Sequence, residues 1–477
     1  MTEPGGLGEK QLLKRELGLF DLTLFYIAGG LSLRWIATAA AAGPSTILVW
    51  IFACLFFFVP LAASVLELSA RYPEEGGLYV WTQHAFGDFS GFLAAWTYWM
   101  SNLPYFPAVL YFGAGSLLFA FPHGQKLATT GSYYLLFALG CLAAITALNV
   151  RGLKFGKWLS SVGALGSWIP IIILLMLAGV SVFRFGSATK FTAASMTPHA
   201  DLKNAIFWST IFFAFGGCET GSFMSEEIKN ARRTIPRALI VSGMILAGSY
   251  IAGTIAMLIA LPSGEISGVG GFASAIQVMC GRLGLSWIVV LIALLVALNS
   301  IGGAASFLSS TSRLPFVAGI DRYLPKAFGR VHARWGTPWI AIIFYGFAGM
   351  LCALLSQAGS SVQSAYDLLV SMSIVTYFIP FVFLFLAMIR LQREPFPQGE
   401  SGFRGPVRCS STRFRRPDYH YVDDCPGARS ARRRAAQGVS DRQDTRLNIP
   451  SCRGRGSRLP ECDMAAENLK TTTEWRV

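Results

Sequence analysis

Ten stretches of this chain are apolar for roughly twenty residues or longer, the length needed to cross about 30 Å of hydrocarbon. They lie near 21–42, 44–70, 90–120, 131–150, 156–183, 204–225, 237–261, 286–318, 337–357 and 364–390. Such a pattern leaves little choice, because in lipid every backbone N–H and C=O must be satisfied internally, which restricts spanning segments to helices or closed barrels. Runs of this length specify helices. Composition agrees: 53% of the 477 residues are hydrophobic and 14% charged, too few charges for a soluble chain of this size. With the N-terminus placed in the cytoplasm, eighteen Lys and Arg fall in cytoplasmic connections, from Lys10, Lys14 and Arg15 to Arg390 and Arg393. Five fall outside: Lys126, Arg184, Lys190, Lys203 and Arg282. That bias predicts a multi-pass protein of the plasma (inner) membrane with a cytoplasmic N-terminus. The first run is too long and too interrupted for a signal peptide, so it is read as a retained span.

Two spans carry the same flaw. Span 1 reads "YIAGGLSLRW", with Gly29 and Gly30 adjacent and Arg34 following; span 6 reads "AFGGCETGS", with Gly216 and Gly217 adjacent and Glu219 following. Adjacent glycines lower the cost of unwinding and open the main chain to close approach. An ionisable group at mid-membrane depth is costly and usually faces a cavity. Glycine pairs are often mere helix contacts, but spans 1 and 6 each open a set of five. Paired interruptions in corresponding positions point to a transport site at a repeat interface. A half-helix N-terminus attracts a carboxylate and a half-helix C-terminus an ammonium, so two broken helices together suit a zwitterion such as an α-amino acid.

Other chemistries find little footing. Cys54, Cys141, Cys218, Cys280 and Cys352 are single thiols in apolar runs, and neither CxxC pairs nor metal-ligand clusters occur. No cofactor motif and no Walker-type loop is present, which argues against ATP drive within the chain. The net charge of +14 sits in connections and tail, not on a nucleic-acid-binding face. Glu67, Glu74 and Glu75, near a cytoplasmic span end, read as solvated or capping groups rather than catalytic ones.

Three stretches resemble the amino acid–polyamine–organocation (APC) transporters: Gly43–Trp81, ending "RYPEEGGLYVW"; Phe212–Ala238, "FFAFGGCETGSFMSEEIKNARRTIPRA"; and Ser312–Pro338, "SRLPFVAGIDRYLPKAFGRVHARWGTP". "SLRWIATAAAAGPS" and "WTYWMSNLPYFP" lean toward the glutamate/GABA-antiporter-like or polyamine-uptake-like branch. The resemblance implies an all-α, LeuT-like five-plus-five inverted repeat with spans 1 and 6 unwound. It implies substrate binding by Ala28, Gly29, Gly30 and Leu31 in span 1 and by Ala214, Phe215, Gly216 and Gly217 in span 6. Phe213 would act as an aromatic lid and Glu219 as a gating or proton-coupling carboxylate. Repeat one would cover about 21–183 and repeat two about 204–391, within a core of 21–394 preceded by a cytoplasmic segment, 1–20.

Departures matter too. The family's Gly-Ser/Thr-Gly is replaced by Gly29-Gly30-Leu31, and Arg34 could select an anionic or neutral amino acid, discourage a polyamine, or pair internally with Glu219. After "REPFPQGESGFRG" the expected last two of twelve spans give way to an Arg-rich segment, 395–477, read as disordered or out of frame. The functional expectation is a secondary permease or antiporter moving an amino acid by alternating access, with a proton or a counter-substrate as coupling partner. The alternative is a truncated, transport-inactive paralogue or membrane sensor. Oligomeric state is left open.

Overall fold

The computed structural model describes residues 15–198, 202–266, 271–320, 323–357 and 361–393, all within one compact unit. The segment 395–477 lies outside the described residues. Among the described residues there is no β-strand, only an isolated bridge between Leu17 and Ile228.

The helices follow the apolar runs. Span 1 comprises α1 (Leu19–Gly30) and α2 (Leu33–Ala41). Span 2 comprises α3 (Thr46–Ala53) and α4 (Val59–Arg71), joined by a π turn at Cys54–Phe58. Pro60 explains that turn: it lacks an N–H and its ring crowds the carbonyl one turn back, so the ladder widens locally. A short α5 (Leu78–Phe86) leads into span 3, α6 (Asp88–Ser101) and α7 (Tyr105–Leu117). Spans 4 and 5 are α8 (Gly131–Val150) and α9 (Leu153–Phe185). The one-turn α10 (Ala193–Met196) precedes α11 (Leu202–Ala214), the first half of span 6. Then come α12 (Ala231–Ala260), the shorter α13 (Gly271–Leu283), α14 (Trp287–Thr311), α15 (Arg313–Ile320), α16 (Trp339–Ser356) and α17 (Val362–Leu391).

Nine segments among the described residues are long and apolar enough to cross a membrane. The expected tenth, 204–225, is not a continuous helix: α11 stops at Ala214, a turn follows, and a 3₁₀ stretch runs from Thr220 to Glu227. The hydropathy pattern therefore marks a crossing that the backbone makes in two pieces.

Small residues set the packing. At the crossing of α9 and α14, a Cβ on Gly163 would lie 2.7 Å from the Gly302 Cα, so the two backbones touch. Asn299 of α14 donates to the Gly163 carbonyl at 3.1 Å, and Ser160 and Ser306 hydroxyls meet at 2.8 Å. Large apolar side chains such as Phe52, Phe56, Met176, Phe183, Leu355 and Val375 are exposed on α3, the π turn, α9, α16 and α17. In water such a surface would drive association; in hydrocarbon it is the face that meets the solvent.

Candidate functional site

Both glycine pairs break their helices. α1 closes with the Leu31 N–H on the Ile27 carbonyl at 2.8 Å, Leu31 and Ser32 turn extended, and α2 restarts at Leu33. In span 6, α11 ends at Ala214 and Gly217 adopts φ +101°, a conformation that glycine takes without penalty and L-residues avoid. The other glycines allow close approach. A Cβ on Gly30 would sit 2.6 Å from a Leu246 methyl, and one on Gly216 would sit 2.4 Å from the Tyr377 ring.

A single hydroxyl ties the two breaks together. Tyr250, fully buried on α12, accepts from the Ser32 N–H at 3.3 Å. The same oxygen is within hydrogen-bonding reach of the Gly30 carbonyl and, at 3.3 Å, of the Ala214 carbonyl. Peptide groups freed by unwinding thus find a partner inside the protein, as a low-dielectric setting demands. Trp50 stacks on the Tyr250 ring at 4.5 Å, held by its own indole N–H donating to Thr254 at 3.0 Å, and Phe215 packs edge-on against both rings. Asn299 donates to the Leu31 carbonyl at 3.4 Å, fastening the span 1 break to α14.

Glu219 is fully buried just past the span 6 break. Its Oε1 accepts from the Tyr98 hydroxyl on α6, from the Tyr377 hydroxyl on α17 at 2.6 Å, and from the Gly217 N–H at 3.2 Å. The Cys218 thiol lies 3.5 Å from Oε2. Three donors converging on one oxygen are what a buried carboxylate needs in place of water. Sequence reasoning found the carboxylate and missed its tyrosines. Tyr98 and Tyr377 each lie in an apolar run, but so do many of the chain's fifteen tyrosines, so the signal has little specificity.

Arg34 is not Glu219's partner. Its guanidinium stands 4.0 Å above the Trp35 ring and 5.1 Å from the Tyr105 ring, and it is 2% exposed. Phe213 packs edge-on against Trp35 at 5.5 Å and against Tyr377 at 4.7 Å, so the expected lid residue bridges the α2 side and the Glu219 side. Ala28, Leu31, Ala214 and Phe215 are buried, as are Gly30, Gly216 and Gly217; Gly29 is half-buried. The void beside the breaks has a volume of about 10 Å³, lined by Tyr26, Gly30, Gly216, Gly217, Ser242 and Leu246 among others. That is room for about one water. The two breaks lie together beside this small void.

At one end of the bundle lies a second buried charge cluster. Arg313 at the start of α15 donates through Nη2 to both carboxylate oxygens of Glu227, at 2.8 and 3.0 Å. Glu75 accepts from the Glu226 N–H at 2.9 Å, while its other oxygen is buried without a partner. Glu75 is therefore a buried cap on the 3₁₀ stretch, not the solvated group the sequence allowed. Burial, then the neighbouring Glu227, push its carboxyl well above the usual range. The segment just before α1 is pinned at the same place: Glu16 and Leu17 N–H groups donate to the Glu227 carbonyl at 3.0 and 3.1 Å, and Lys229 N–H donates to the Leu17 carbonyl at 2.9 Å.

A helical bundle with an apolar outer surface, many crossings and two glycine-broken segments meeting at a buried carboxylate defines a multi-pass membrane transporter. Residues 17–412 match the amino acid permease family, and the chain belongs to that family. It is 29% identical to an uncharacterized transporter of Legionella pneumophila over 82% of this chain and 84% of the relative. It is 27% identical to a protein of Lactococcus lactis named "Probable agmatine/putrescine antiporter", over 83% of this chain and 84% of that one. It is also 27% identical to a serine/threonine exchanger of Bacillus subtilis, over 80% and 84% respectively. These relatives are transporters and exchangers, so the protein is a transporter and not an enzyme.

Proposed function

We propose that this chain is a secondary active amino acid permease working by alternating access, with an exchanged counter-substrate or a proton as its coupling partner. The observation that carries the reading is the meeting of the two broken helices, joined through the Tyr250 hydroxyl at the carbonyls of Gly30 and Ala214. Main-chain groups of Ala28–Leu31 and Ala214–Gly217 receive the substrate. Its ammonium lies toward the carbonyl ends of α1 and α11, and its carboxylate toward the N-terminus of α2.

Substrate binding displaces some internal hydrogen bonds, and a substrate with different affinities for the outward and inward conformations biases movement between them. Glu219 links the site to span 3 through Tyr98 and to span 10 through Tyr377, so loss of its charge or its donors couples to the position of both spans. We place the N-terminus in the cytoplasm, with two five-span repeats of about 21–183 and 204–391. The exchanger and antiporter names among the relatives favour coupling by exchange.

Counterflow of radiolabelled amino acids in proteoliposomes tests the reading, with Gly217→Leu and Glu219→Gln beside the unaltered chain. Exchange by the unaltered protein, its loss in Gly217→Leu and uncoupled or abolished exchange in Glu219→Gln are expected. Equal flux in all three removes the site, and no flux of any amino acid by the unaltered protein removes the function.

A further inference from the structure

We infer that Arg34 is the specificity-determining residue for a second carboxylate on the substrate, so that the protein moves acidic amino acids. The inference rests on the permease reading above and adds a substrate class to it. Arg34 stands in the first turn of α2, directly after the span 1 break. It is a full cation, nearly inaccessible, and no salt bridge from it occurs among the described residues. Its Nε and Nη1 are buried without a hydrogen-bond partner, and so is the Ser32 hydroxyl two residues earlier. Three orphaned polar atoms thus cluster where the helix restarts. Aromatic faces on Trp35 and Tyr105 flank the guanidinium, and the Tyr366 side chain of α17 is within hydrogen-bonding reach of it, leaving Nε and Nη1 as its unpartnered atoms. Ring faces replace only part of the hydration a guanidinium loses, and the Nε and Nη1 N–H groups still need acceptors.

The missing acceptor belongs on the ligand. Glu219 is committed to Tyr98, Tyr377 and Gly217 on the far side of the break. Arg34 is close to the other side. The Tyr105 ring beneath it packs at 4.7 Å on Phe307, whose ring lies 3.4 Å from a Cβ built on Gly29 and 3.2 Å from one on Gly217. A ligand seated on the unwound main chain therefore needs to turn aside two rings, Phe307 and Tyr105, to reach the guanidinium. The α2 N-terminus already offers partial positive charge for the α-carboxylate. A full, unneutralised cation beside it calls for a second anionic group, which guanidinium geometry fits well. The same charge repels a diamine.

Glutamate and glutamine share a shape and differ in that one charge, so they make the test. The full chain in proteoliposomes is assayed for competition by L-glutamate, L-glutamine, L-serine and putrescine. Glutamate should compete roughly tenfold or more better than glutamine, and putrescine not at all. In Arg34→Gln the glutamate preference should vanish while glutamine affinity holds, and Arg34→Lys should restore part of it. Size-exclusion elution and retained glutamine competition report that the variant is folded. Equal competition by glutamate and glutamine in the unaltered protein overturns the assignment while the permease reading stands. So does an equal fall for both in Arg34→Gln, which would give Arg34 the α-carboxylate or a structural role. Transport of no amino acid at all overturns the permease reading itself.

Discussion

The Tyr377 hydroxyl donates to Glu219 Oε1 at 2.6 Å, joining α17 to the unwound part of span 6 across 158 residues of sequence. The Tyr98 hydroxyl, 3.5 Å from that of Tyr377, donates to the same oxygen. Removing one donor leaves a buried carboxylate under-solvated, worth about 1.5–3 kcal/mol for a hydrogen bond to a charged group. Tyr377→Phe should therefore slow exchange by roughly tenfold or more and lower the unfolding midpoint, read from initial-rate counterflow and intrinsic fluorescence. Unchanged rate and midpoint would mean that the contact does not matter to either.

Gly216→Ala should imitate Tyr377→Phe. An added methyl would lie 2.4 Å from the Tyr377 ring and push it off Glu219. If both substitutions act on the same contact, the double variant should lose little more than either single one, a non-additivity read from a double-mutant cycle. Additive losses would separate the two effects.

Tyr250→Phe takes away the hydroxyl shared by Ser32, Gly30 and Ala214 while keeping the ring stacked on Trp50. Leaving buried peptide groups unpaired costs on the order of 1–3 kcal/mol each. The expected outcome is faster hydrogen exchange at residues 30–33 and 214–217, measured by mass spectrometry, with helices distant from the breaks unaffected. Unaltered exchange there would show that the breaks do not rely on Tyr250.

The cluster of Glu75, Glu226, Glu227 and Arg313 should make one end of the bundle sensitive to pH. Glu75's carboxyl is raised in the packed state by burial and by Glu227. The packed state therefore binds more protons than an opened one, in which Glu75 titrates near the ordinary value of about 4.3. Stability of this end is complete below that value and falls as pH climbs through the raised one. Hydrogen exchange at 224–229 should quicken with rising pH beyond its intrinsic increase, and Glu75→Gln should flatten that excess.

Breaking the pair of Arg313 and Glu227 should be harsher. Glu227→Ala strands a guanidinium that is 1% exposed, and loss of one member of a buried pair typically costs about 3–5 kcal/mol. A large fall in thermal midpoint is expected, partly recovered by Arg313→Met together with Glu227→Leu, which removes both charges. No recovery in the double variant would mean the end needs the charges themselves.

Local chemistry made much of this legible in advance. The length of the apolar runs determined that the chain is helical and where it crosses, because hydrocarbon leaves a backbone no other way to satisfy itself. Gly29-Gly30 and Gly216-Gly217 marked both breaks, because adjacent residues without Cβ atoms lower the cost of leaving a helix. A charge at Glu219 inside an apolar run announced that something would have to solvate it. What solvates it was decided by tertiary structure alone. Tyr98 and Tyr377, which do so, come from two different helices, and Tyr250, which serves the peptide groups at the breaks, comes from a third; nothing in their local sequence distinguishes them from tyrosines that merely pack. The choice between pairing Arg34 with Glu219 and leaving it apart was likewise beyond the sequence, since it depends on which faces of α2 and span 6 meet. The same holds for Glu75, which the sequence left open between a solvated and a capping group until the fold brings the 3₁₀ stretch down over it.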